Sequence, residues 1–158
     1  GYGMGAKKFM LSCANDGVPI TEDFAKHVVS TYRSKFSKIV SGWNALEDAA
    51  IRAVRNPQTQ IKALKVVFLK QGRFLSCRLP SGRKLHYFDP ILMDGVTSWG
   101  KQTKKLTYMS VKTGAWIRVD TYGGKLFENV VQALCRDLVA AAIARVELGQ
   151  NPYERVFR

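Results

Sequence analysis

No histidine or cysteine in this chain has a neighbour with which to hold a metal. His27 and His86 stand alone, and Cys13, Cys77 and Cys135 are far apart and odd in number. That spacing excludes a zinc finger and a disulfide framework and points instead to free thiols in a reducing, cytoplasmic setting. No stretch is apolar for long enough to span a membrane: the richest, Val130 to Val146, is interrupted by Arg136, Asp137 and Arg145. No signal peptide is present, so no membrane partner is expected.

Acidic residues are the other scarcity. Twelve Asp and Glu stand against 25 Lys and Arg, a net charge of +13, which attracts polyanions. Nucleic acid is the first candidate and an anionic membrane surface the second. Between Asp48 and Asp89 there is no acidic residue, while Arg52, Lys62, Arg73, Arg83 and Lys84 are among the cations that fall there. A second acid-free stretch, Asp94 to Asp120, holds Lys101, Lys104, Lys105, Lys112 and Arg118. These cations are interleaved with Phe, Tyr and Trp, so they belong to folded segments; the alternative is an ordinary solvated face on a basic protein.

Hydrophobic residues make up 46% of the 158, enough for the core of one domain. Thr21 is a predicted N-cap, with Glu22 and Asp23 in the first helical turn. Phe24, Val28, Tyr32 and Phe36 recur at helical spacing and predict a packed face. A second helix is expected from Ser37 through Trp43, Leu46 and Ile51 to Val54, ending before Pro57. The middle alternates as strands: Leu64–Leu69 and Phe74–Leu79 about a Gln71-Gly72 turn, then Arg83–Phe88 after Pro80-Ser81-Gly82. A further hairpin joins Leu106–Val111 to Trp116–Tyr122 through Thr113-Gly114. Asp89 to Lys105 has little pattern and reads as a connection. A long helix from about Lys125 to Leu148 closes the order, with Gly149 and Pro152 after it. The expected fold class is α+β: two helices, a central block of antiparallel hairpins, then a long C-terminal helix.

At about 100° per residue, Lys125, Asn129, Gln132 and Arg136 fall in one narrow sector of that helix. Leu126, Phe127, Val130, Val131, Leu134, Leu138, Ala141 and Ala142 take the other side and are expected to bury on the strands. Cys135 is expected at the edge of that buried side, and Asp137 as a structural hydrogen-bonder. Asn and Gln both donate and accept hydrogen bonds, so they can meet base edges or sugars while the flanking cations meet phosphates. The alternative is the ordinary polar side of a surface helix. His86 and Tyr87 read as sheet residues and not as ligands.

Thr121-Tyr122-Gly123-Gly124-Lys125-Leu126-Phe127-Glu128-Asn129-Val130-Val131-Gln132-Ala133, with Arg136-Asp137-Leu138, resembles the polymerase domain of phage and prophage-type family A DNA polymerases. Gly1-Tyr2-Gly3-Met4-Gly5 resembles the end of that family's nucleotide-binding fingers helix. Leu79-Pro80-Ser81-Gly82-Arg83-Lys84-Leu85-His86-Tyr87 resembles the segment before its long helix. Pro90 to Asp120, with Trp99-Gly100 and Trp116, resembles the insert of the phage branch. The likeness spans nearly the whole chain. It implies a helical fingers part at 1–60, antiparallel strands with the insert at 61–122 and a DNA-facing helix at 123–149.

The resemblance implies template-directed addition of deoxynucleotides to a primer 3′ end, with primer-template DNA and deoxynucleoside triphosphates as partners and two Mg²⁺ ions in the intact enzyme. The family's metal-binding Asp residues lie before this chain's start and in a His-Asp-Glu motif after its end, so both ends read as cuts within something larger. No catalytic or metal-binding residue is therefore assigned to this chain, and the piece is expected to be inactive alone. Tyr2 and Gly3 would stand at the template side of the nucleotide pocket. Gln132 would meet the primer-template minor groove, with Asn129 beside it, though Asn129 precedes it by three residues where many relatives have four. Arg83 matches a basic position near the DNA backbone. Lys125 and Arg136 come from the stripe alone. Two other readings stay open: a non-catalytic basic nucleic-acid-binding module, and a basic face that docks an acidic protein.

Overall fold

The computed structural model describes residues 3–96, 102–112 and 114–148. Tyr2, Trp99-Gly100, Thr113, Gly149 and Pro152, all singled out above, lie outside them. Four helices and six strands follow in the order α1 (Ala6–Asn15), α2 (Glu22–Lys35), α3 (Ser37–Arg55), β1 (Ile61–Ala63), β2 (Val66–Gln71), β3 (Phe74–Arg78), β4 (Lys84–Val96), β5 (Gln102–Lys112), β6 (Ala115–Thr121) and α4 (Gly123–Glu147). The class is α+β. Three helices precede the strands where two were expected: α1 has no buried residue and no side-chain cap, so neither a packed stripe nor a start signal marks it in the sequence.

Thr21 does cap α2, its Oγ1 accepting from the Phe24 amide at 3.3 Å. The packed face of α2 is only partly the one expected: Val28 and Tyr32 are half-buried. Phe24 and Phe36 are about half exposed, and the buried residue is Ala25. α3 is the buried helix, with Trp43, Leu46, Ala49, Ala50 and Ala53 turned inward. Its small residues let it lie close on the sheet, where Phe68, Leu75, Cys77 and Tyr87 meet it in one core.

The strands form one antiparallel meander in sequence order, β1 to β6. The described residues between Asp89 and Lys105, read as a connection, are strand: β4 runs to Val96 and pairs with β5 from Ile91↔Thr107 to Val96↔Gln102. The sequence misleads here because Asp89-Pro90 has the composition of a turn. The register shifts between Phe88 and Ile91, and a bulge is where a proline is tolerated inside a sheet. Asp89 takes φ +49, and Arg118 holds the kink, donating to the Asp89 carbonyl at 2.9 Å and to its carboxylate at 2.5 Å.

α4 packs on α3 by close backbone approach. A Cβ on Gly123 would stand 2.2 Å from the Trp43 carbonyl oxygen, and one on Gly42 would stand 2.9 Å from the Phe127 ring. The Gly123 amide donates to the Glu47 carboxylate at 3.0 Å, so α3 supplies the acceptor that the N-terminus of α4 lacks. Gly123 thus serves helix-on-helix packing. Among the described residues no helix is long and apolar enough to cross a membrane.

Candidate nucleic-acid interface

The inward arc of α4 is centred on Leu126, Val130 and Ala133, rotated toward the polar stripe from where the sequence pattern put it. Two expectations fail for that reason. Cys135 is exposed instead of lying at the core edge, and the apolar side is not buried along its length. Beyond Asp137 the helix outruns the sheet, leaving Leu138 71% exposed and Ala141 and Ala142 exposed as well.

The rotation brings the stripe to the rim of a groove. On one side stand Asn129, Gln132, Ala133 and Arg136 of α4; on the other stand Arg83, Leu85, His86, Tyr87, Tyr108 and Ser110 at and along β4 and β5. The groove encloses about 550 Å³ and is more polar than apolar. Four of the residues singled out in the sequence, Arg83, Asn129, Gln132 and Arg136, therefore share one site. Lys125 does not line it: its ammonium donates to the Asp120 carbonyl at 3.3 Å and lies 5.5 Å from the Tyr122 ring centroid. Gly3 stands apart at the N-terminus of α4, where a Cβ would come within 3.1 Å of the Tyr122 ring.

Asn129 and Gln132 are each oriented by a neighbour. Asn129 Nδ2 donates to the Tyr87 hydroxyl at 3.2 Å. Burial pushes the Tyr87 hydroxyl up and the Asn129 hydrogen bond opposes it, so it stays neutral at ordinary pH. Burial raises Tyr108 in the same direction. Gln132 Nε2 donates to Glu128 one turn back at 3.3 Å, on an exposed surface that leaves its amide accessible to a partner. Tyr87, Tyr108 and Ser110 were not singled out as groove residues by sequence. Their alternation along β4 and β5 placed them on one face, but not which helix that face meets.

Arg83 is held more firmly than a residue waiting for phosphate. Its Nε donates to Asp137 Oδ1 at 2.7 Å and its Nη2 to the Ala133 carbonyl at 2.8 Å. Ser81 Oγ donates to the other Asp137 oxygen at 2.6 Å. Asp137, expected as a structural hydrogen-bonder, thus clamps the Pro80-Ser81-Gly82 turn to α4 and fixes Arg83, which lines the groove. The Ser81 hydroxyl first, and then Arg83, hold the Asp137 carboxyl below its usual range, against an opposing desolvation. A carboxylate depressed in the folded state stabilises above its unfolded value of about 3.9, and that contribution is lost as pH falls through the lower folded value. Asp137→Asn should therefore be less stable than the parent sequence near neutral pH, by urea denaturation, with the gap closing below about pH 4. A gap equally wide at pH 3 would show that the ion pair is not what the aspartate contributes.

No cysteine lines the groove. Cys77, beneath it in the core, is pushed up to about 12 by burial and is an inert apolar group. Amide groups between arginines in an open groove suit the binding of a long polar anion.

The chain is 36% identical over 149 residues, 93% of its length, to the DNA polymerase of Bacillus phage SP02. It spans about a fifth of that protein, the matched stretch being 22% of it. No family model matches the chain, and no solved structure gives a significant match.

Proposed function

We propose that this chain is part of a phage-type family A DNA polymerase, and that the α4 groove receives the minor groove of primer-template DNA. The observation that carries the reading is the convergence of Arg83, Asn129, Gln132 and Arg136 on one open groove, in a segment similar to a phage DNA polymerase. Gln132, exposed and central, meets base edges or sugars; Asn129, fixed by Tyr87, sets the depth at which DNA rests; Arg136 meets phosphate at the rim. Minor-groove acceptors are shared by all base pairs, so such contacts track a correctly shaped duplex without reading its sequence.

Gly3, beside Tyr122 at the other end of α4, belongs on this reading to the template side of the nucleotide pocket, with Tyr2. The reaction is that of the whole parent: addition of deoxynucleotides to a primer with two Mg²⁺ ions. Among the described residues no group of three or more His, Cys, Asp or Glu stands together. The metal carboxylates are assigned elsewhere in the parent, and the piece is inactive alone.

Fluorescence anisotropy with a labelled primer-template duplex tests the groove. Arg136→Ala should weaken binding about tenfold, the scale of a charge-assisted contact, and Gln132→Ala should weaken it by a smaller factor. Both positions are exposed, so thermal stability should not change. Lys26→Ala, on α2, should leave affinity as it is. Unaltered affinity in both groove variants would rule the groove out as the DNA site.

A further inference from the structure

The opposite face of the sheet carries a second feature, of which only His86 also borders the groove. Phe74, His86, Phe88 and Trp116 come from β3, β4 and β6 and touch one another there. Ring centroids lie 5.2 Å apart for Phe74–Phe88, 5.5 Å for Phe88–Trp116 and 5.8 Å for Phe74–His86. Tyr87, between His86 and Phe88, points to the core, so strand alternation puts this cluster on the side away from α3 and α4. Trp116 is 61% exposed and Phe74 44%, although burying such rings is ordinarily favourable.

Charge surrounds the rings asymmetrically. The Arg73 guanidinium lies 4.5 Å from the Phe88 ring centroid. Arg78 and Lys84 are cross-strand partners on the same face, by alternation from Phe74 and Phe88. Asp89, next to Phe88 in the chain, is neutralised by Arg118 at 2.5 Å. Asp120 stands one row beyond Arg118, opposite Thr107. The cluster is thus bordered by cations on β3 and β4, with its adjoining carboxylate already paired.

We propose that this outer sheet face is a stacking platform for single-stranded nucleic acid. Exposed aromatic rings on neighbouring antiparallel strands offer flat apolar surfaces to unpaired bases, and the flanking Arg73, Arg78 and Lys84 meet the backbone phosphates. Duplex DNA, whose bases are already stacked, gains nothing from the rings. The specificity is for strand state and not for sequence, because every base has a π-face. The charge complementarity favours a polyanion, and the rings favour one with unpaired bases over an acidic protein segment. The proposal does not depend on the α4 groove, which lies on the other face.

The test is anisotropy of the full chain with a short fluorescein-labelled oligodeoxythymidylate and, separately, with a labelled blunt duplex. The double variant Phe74→Leu/Trp116→Leu keeps apolar surface but removes the rings. Both positions are exposed, so the fold should persist, as checked by thermal melting. Single-strand affinity should fall at least tenfold, since each base-aromatic stack contributes enough for about that factor, with duplex affinity unchanged. Arg136→Ala should give the converse pattern, losing duplex and keeping single strand. An equal loss on both probes would overturn the platform, because the rings would not be sensing unpaired bases. Unchanged single-strand affinity in the double variant would overturn it too, and would assign the face to a protein partner instead.

Discussion

Gly123→Ala should lower the melting temperature by about 10 °C. The added methyl would sit 2.2 Å from the Trp43 carbonyl oxygen and 2.6 Å from its carbon. Those are backbone atoms of a buried helix, so no side chain can swing aside. α4 must move off α3, and the move stretches the 3.0 Å contact between the Gly123 amide and Glu47. Overpacking of this kind costs about 3 kcal/mol, which for a chain of this size is about 10 °C. Gly5→Ala is the matched control: nothing lies within 4 Å of its Cβ, so its melting temperature should stay near that of the parent sequence. If Gly123→Ala also melted within a degree or two of it, the close approach of α3 and α4 would be wrong. The groove would then be wrong with it, because that contact fixes how α4 is rotated.

Raising salt should weaken primer-template binding steeply. Arg83 and Arg136 are the cations that line the groove, and each neutralised phosphate releases counterions. Two such contacts predict that a fourfold rise in salt weakens binding about twelvefold. Arg136→Ala should lower the slope of log affinity against log salt by about one. Arg83 offers a finer check. Asp137 already compensates part of its charge, so Asp137→Asn should release Arg83 toward phosphate and tighten DNA binding even as it destabilises the fold. An affinity indifferent to salt would show that the basic character of the chain serves something other than a polyanion.

Much of the architecture was legible because it rests on local chemistry. The cap at Thr21, the β2–β3 hairpin, the β5–β6 pairing and the extent of α4 follow from side chains that act within a turn or two of themselves. What was not legible depends on partners distant in sequence. Asp89-Pro90 looks like a chain break until Arg118, 29 residues on, is seen to hold the bulge. Cys135 reads as core edge until Gly123 brings α4 against Trp43 and rotates the helix. Phe24 reads as packed because its spacing is right, yet the burial in α2 falls on Ala25.

The site shows the same division. The polar stripe on α4 could be read from period alone, and it holds for Asn129, Gln132 and Arg136. Lys125 falls in the same sector but turns back to Asp120 and Tyr122, an interaction that angular position does not reveal. The far wall of the groove, Tyr87, Tyr108 and Ser110, could not be found without knowing which sheet face meets the helix. Arg83, expected near the DNA backbone, stands across the groove from the stripe, and its tie to Asp137 depends on the Ser81 turn folding back over α4.

The most direct measurement is photo-crosslinking of primer-template DNA to the full chain carrying Gln132→p-benzoylphenylalanine. The groove account predicts a covalent adduct at position 132 that an unlabelled duplex competes away. It also predicts no adduct from the same substitution at Glu22, on α2. Crosslinking at Glu22 with none at position 132 would contradict the account, because DNA would then lie on the helical side of the molecule and not against α4.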